Sequence, residues 1–293
     1  MNNFQQQANV NPLTSFMRQP KIYISLPSQG VYWEEGSLLI PENLEFPVFS
    51  MTAKDELAFK TPDALMNGQA IIDVIQSCMP NVKDAWKTPS VDLDTILISI
   101  RIATYGEMMD IKHTVPGTTE EVEHAIDLRT VLDRITQNTT WKETVEITPE
   151  LTCFVYPLTY RHITMTSLRT FETQRIMQTV NNDNLTDEQK LTIFNESFNK
   201  LSDITIDLVA DSIKYIKTPD NVVHNKEFIR EFLKNSDKSV YEKIQKHLSS
   251  LKESNGLKPF LLESSEEHIA LGAPATYELP LSIDNSDFFG QGS

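Results

Sequence analysis

MTAKDELAFKTPDALMNGQAIIDVIQSCM (Met51–Met79) and SVDLDTILISIRIATY (Ser90–Tyr105) hold the densest apolar content of the chain and much of its helix punctuation. Thr52 with Asp55 three residues on reads as a capping box, and Asp55 and Glu56 load the first turn with acid, which suits a helix N-terminus. Thr61–Pro62–Asp63 restarts a helix with proline at its first position, and Gly68 stops it. Gln69–Met79 continues as a helix and ends at Pro80. In Asp92–Tyr105 the apolar residues Leu93, Ile96, Leu97, Ile98, Ile100 and Ile102 fall all round the helix. That pattern predicts a helix buried on most sides, ended by Gly106.

Working outward toward the N-terminus, Phe46–Phe49, Leu38–Ile40, Val31–Tyr32–Trp33 and Lys21–Leu26 read as short strands. Pro41 and Pro47 mark edges, and Ser28–Gln29–Gly30 marks a turn. Met1–Pro20, rich in Asn and Gln, reads as a polar flexible arm.

Toward the C-terminus, Glu107–His113 and Glu121–Leu128 form a hairpin across the Pro116–Gly117 turn. A short helix follows at Arg129–Gln137, then strands at Glu143–Ile147 and Thr152–Leu158. Helices are expected from Thr159: one from Ile163 to about Val180, and one opened by the Thr186–Gln189 capping box, with a break suspected at Ile204–Thr205–Ile206. Two more are expected over Asn225–Lys234 and Ser236–Leu251. Tyr277–Ile283 reads as a candidate strand. The fold class expected is α+β, predominantly helical, with short N-terminal strands and a small central β-hairpin unit. The domain reading is an arm (1–20), a strand-plus-helix domain (21–106), a small β-containing unit (107–158), a helical domain (159–258) and an acidic tail (259–293).

The totals narrow the function classes. A net charge of −15 over 293 residues argues against a general phosphate-backbone binder, which needs a basic stripe. No apolar run is long enough to span a membrane, and the N-terminus lacks the basic and apolar regions of a signal peptide. Cys78 and Cys153 stand alone, outside any C-x-x-C, and read as small buried apolar groups in a reducing compartment. His113, Glu121, Glu123 and His124 share the hairpin but have no nearby cysteine, so hydrogen-bonding surface residues are expected there and no metal or other cofactor. Phosphate-loop, dinucleotide, nucleophile-elbow and zinc-protease motifs are absent from the sequence. Arg101 and Arg161 could anchor a substrate, but a salt bridge or helix-end contact is the commoner use.

PKIYISLPSQGVYW (Pro20–Trp33), MTAKDELAFKTPDALMNG (Met51–Gly68) and IRIATYGEMMDI (Ile100–Ile111) together resemble the baseplate hub proteins and hub-assembly factors of T-even-like contractile-tailed bacteriophages. A weaker likeness continues through KEFIREFL (Lys226–Leu233) and YELPLSIDNSDFFG (Tyr277–Gly290). In that family the segment matching Met109–Leu128 often holds a C-P-x-C knuckle; here it has Thr114, Val115, Pro116 and Gly117, so no metal is carried over.

The resemblance implies a non-enzymatic structural protein of the tail baseplate hub, assembled in the host cytoplasm and then part of the virion. Its partners would be other baseplate or tail hub proteins, with a homo-oligomer left open. An assembly chaperone absent from the mature virion is the alternative, and a tail-associated cell-wall hydrolase a third. Tyr32, Trp33, Phe288 and Phe289 are the expected partner-binding anchors, since buried aromatics commonly dominate interfaces. The adjacent phenylalanines have two fates open: packing on their own domain or docking into a partner.

Overall fold

The computed structural model describes residues 13, 16–59, 68–138, 141–167, 186–281 and 288–289. The strands β1 (Pro20–Ile24) and β2 (Phe46–Phe49) pair antiparallel and alternate inward and outward residues. Helices α1 (Ala53–Ala58), α2 (Gln69–Cys78) and α3 (Ser90–Tyr105) follow. Thr52 and Asp55 form the reciprocal capping box that starts α1. Gly106, at φ 97°, ends α3, a conformation that costs a glycine little and an L side chain much.

Next come the hairpin β3 (Met108–Thr114) and β4 (Glu121–Asp127), α4 (Leu128–Asn138), and the strands β5 (Thr144–Thr148) and β6 (Leu151–Val155). A helix over 160–167, α5, precedes α6 (Asp187–Ser212), which opens on the Thr186–Gln189 capping box. The chain then runs through β7 (Ile213–Lys217), β8 (Val222–Val223), α7 (Lys226–Asn235) and α8 (Lys238–Asn255). It continues with β9 (Phe260–Glu263), α9 (Glu266–Ala270) and β10 (Thr276–Leu279).

The expectation of a predominantly helical chain is corrected. Ten strands in four antiparallel sheets stand among the described residues, from Pro20 to Leu279, so the fold is a mixed α+β one. The difference centres on IKYIK (Ile213–Lys217), which lies inside the 159–258 stretch expected to be a helical domain. Its Ile213 and Ile216 point inward while Lys214 and Lys217 are exposed, and it zips onto β6 to give the sheet order β5-β6-β7-β8. No Gly or Pro separates it from α6, so the change of period carries no punctuation. Conversely, α6 runs unbroken through Ile204–Ile206. Val31–Trp33, read as a strand, forms turns, because Gln29 (φ 52°) and Gly30 (φ 85°) are both left-handed. The helix expected at Thr61–Pro62–Asp63 and all but the start of the one through Val180 lie outside the described residues.

Two cores result. The first gathers β1, β2, α2, α3, the base of the β3–β4 hairpin and α4, and is completed by Leu279, Leu281, Phe288 and Phe289. Ile96, Ile98 and Ile100 of α3 are fully buried there, each stabilising the fold by about 1.5–3 kcal/mol on area grounds. The second gathers β5–β7, the end of α6, α7 and α8 around Val155, Ile213, Ile229 and Ile244. An antiparallel bridge between Pro89 and Thr159 ties the start of α3 to the entry of α5.

The hairpin packs on the C-terminal segment. Tyr277 lies 2.8 Å from His113, His268 pairs with Glu120 at 3.1 Å, and a side chain at Gly117 would meet the Gly272 carbonyl at 2.6 Å.

Candidate interaction sites

The aromatic residues singled out in the sequence lie at internal joints. Trp33, half-buried, donates its indole N–H to Asp92 at 2.7 Å. Ser28 donates to the same carboxylate twice, through its backbone N–H at 2.8 Å and its hydroxyl at 2.5 Å. Asp92 is fully buried on α3, and burial pushes its carboxyl above the ordinary range against the pull of these donors. The network pins the 27–33 turn to the first core. Tyr32 faces the other way: its hydroxyl donates to Glu143 at 3.1 Å, and its ring meets Tyr156 edge-on at 5.1 Å, with Trp141 at 6.3 Å. Tyr32 thus bridges the two halves of the chain.

Phe288 and Phe289 are 1% and 3% exposed, so of the two fates weighed for them the described structure has them in their own domain. Phe289 stacks on Phe59 at 4.7 Å, and its carbonyl accepts from the Tyr105 hydroxyl at 2.9 Å. The buried Arg101 guanidinium donates to the Phe288 carbonyl and lies over the Phe288 and Tyr105 rings at 5.3 Å each. Arg101 therefore secures this segment through a backbone carbonyl and two rings, where the sequence had offered a substrate anchor or, more commonly, a salt bridge or helix-end contact.

Sequence reasoning missed Arg18. It donates to the Ser50 carbonyl at 2.5 Å and the Ser77 carbonyl at 2.6 Å, lies 3.8 Å from Asp55, and covers the Phe49 ring. The end of the expected arm is therefore fastened to the body. A lone arginine in a polar stretch carries no local sign of this.

Apolar side chains are exposed near the Gly30 turn, and a cavity lies between the cores. Val31, Leu39 and Ile40 are all more than half exposed, and Ile40 sits against Gly30 in the turn. Between the cores lies a cavity of about 510 Å³, walled by Val91, Leu93, Trp141, Leu158, Leu208 and Leu248, with Tyr156, Ile163, Val209 and Leu251 completing its apolar lining. Polar residues interrupt the lining, among them Ser90, Asp94, Gln245, Ser249, Lys252 and Asn255. Asp94, on α3, has its carboxyl pushed up to about 6 by desolvation alone. The Tyr241 hydroxyl is shut from solvent without a hydrogen-bond partner among the described residues.

Among the described residues, no group of three or more His, Cys, Asp or Glu side chains is arranged to hold a metal ion, and no helix is long and apolar enough to cross a membrane. His162 is paired with Asp211, which also receives Arg230.

The family described as T4 bacteriophage base plate protein matches residues 41–255, and the chain belongs to that family. Membership implies a place in the virion tail and contacts with other phage tail proteins. No curated protein and no solved structure matches the chain.

Proposed function

We propose that the chain is a structural component of the baseplate hub that acts through protein–protein contacts and performs no chemistry. The observation that carries this reading is the family match across both cores, from residue 41 to residue 255. The hub in particular rests on the motif resemblance at Pro20–Trp33, Met51–Gly68 and Ile100–Ile111. In this reading the exposed Val31, Leu39 and Ile40 meet a neighbouring subunit, and exposed apolar clusters of this kind commonly mark contact sites. Tyr32 and Trp33 serve that contact by holding the turn that presents it, and Phe288 and Phe289 by fixing the C-terminal segment on the first core.

The test is mass spectrometry of purified tails. The structural reading expects the chain at fixed stoichiometry in baseplates and lost with them when assembly is blocked. Finding it in infected cells but never in mature particles would favour the assembly-chaperone reading. Clearing of cell-wall substrate by the purified protein, abolished by one side-chain change, would overturn both in favour of a hydrolase.

A further inference from the structure

Asp92 and Asp94 sit two residues apart on α3 in opposite circumstances. Asp92 has three donors from its own chain, from Ser28 and Trp33. Asp94 has none among the described residues, although it lines an apolar cavity where a lone carboxylate is costly. Lys252 lines the same cavity but makes no ion pair with Asp94 there, and no neighbouring charge contributes to the Asp94 shift. The space of about 510 Å³ is within the range of sites that hold ligands or inserted side chains. A net charge of −15 favours approach of basic groups.

We propose that this cavity receives a basic side chain, lysine or arginine, carried on an apolar segment of another baseplate protein. The aliphatic stem lies along Leu208 and Leu248, and the cationic head pairs with Asp94. Long basic side chains suit such a place because their methylenes cover apolar surface while the charge seeks a partner. The chemistry of the occupant rests on the cavity alone, whereas its source in a neighbouring subunit rests on the function proposed above.

The occupant chemistry is tested by titrating the full chain at pH 7.5 with n-hexylammonium, 1-hexanol and hexanoate, followed by NMR shifts of cavity residues. Hexylammonium is expected to bind at least tenfold tighter than hexanol, hexanoate more weakly than either, and the advantage to vanish in Asp94→Asn, whose fold is verified by its melting transition. Hexylammonium binding no tighter than hexanol overturns the proposal. The source is tested by placing a benzophenone amino acid at Gln245, on the cavity rim, during infection. A crosslink to a lysine- or arginine-bearing peptide of another tail protein supports it. Crosslinks confined to this chain, or a small amine copurifying in the cavity, overturn it. Absence of the chain from tails would sink the baseplate reading while leaving the hexylammonium result standing.

Discussion

The Trp33 indole N–H donates to the buried Asp92 carboxylate at 2.7 Å, and this bond fastens the turn between β1 and β2 to α3. Replacing Asp92 with alanine leaves the Trp33 N–H, the Ser28 N–H and the Ser28 hydroxyl without their acceptor. At about 1–3 kcal/mol per unmet buried group, the expected loss is on the order of 3 kcal/mol or more, read by urea denaturation. Trp33→Phe, which removes one donor and keeps most of the ring, should cost roughly 1–2 kcal/mol.

Phe288 and Phe289 are predicted to stabilise the first core. Phe288→Ala should cost about 3–5 kcal/mol, the usual range for emptying a buried aromatic site. Leu261→Ala, at a side chain 71% exposed, should change stability by no more than about 0.5 kcal/mol. Equal melting points for the two variants would show that the segment packs less firmly than its burial implies.

Asp94 makes a pH-dependent prediction. Its carboxyl is held at about 6 in the folded chain against 3.8 for the unperturbed group. The folded state therefore binds the proton more tightly than the unfolded state. The stability this contributes is fully present below pH 3.8 and is lost as pH rises through about 6. Asp94→Asn removes that loss, so the variant should be more stable than the parent at pH 7, by up to about 3 kcal/mol at 1.36 kcal/mol per pH unit. The gap should close by pH 4. Parallel stability–pH curves for the two proteins would remove Asp94 as the titrating group.

Cys78 and Cys153 are both buried, and burial pushes each thiol up to about 12. Thiolate is the reactive form, so both should resist a thiol reagent at pH 8 in the native state and react together on unfolding. Fast labelling of Cys153 alone would show that the β5–β8 sheet opens independently of the first core.

Elements that announce themselves locally were legible in the sequence. The capping boxes at Thr52–Asp55 and Thr186–Gln189 and the glycine stop at Gly106 each depend on neighbours within a few residues. What escaped depends on distant partners. IKYIK becomes a strand because β6 offers it an edge, and nothing at the end of α6 signals the switch. Asp94 reads as an ordinary acid near the start of a helix; its peculiarity comes from the cavity it shares with Leu158, Leu208 and Leu248, which other elements bring there. The same holds for Arg18, whose partners Ser50, Asp55 and Ser77 lie on other elements.

The reach of the first core has a consequence for biosynthesis. Its contributors run from Ile22 to Phe289, while those of the second run only from Val145 to Leu251. On the ribosome, the half encoded later can therefore close before the half encoded earlier. The N-terminal portion must wait, with α3 open along the groove that Phe288 and Phe289 will fill, until translation has passed residue 289. During that interval its greasy face is a natural client for chaperones, so the order of synthesis and the order of folding run opposite to each other.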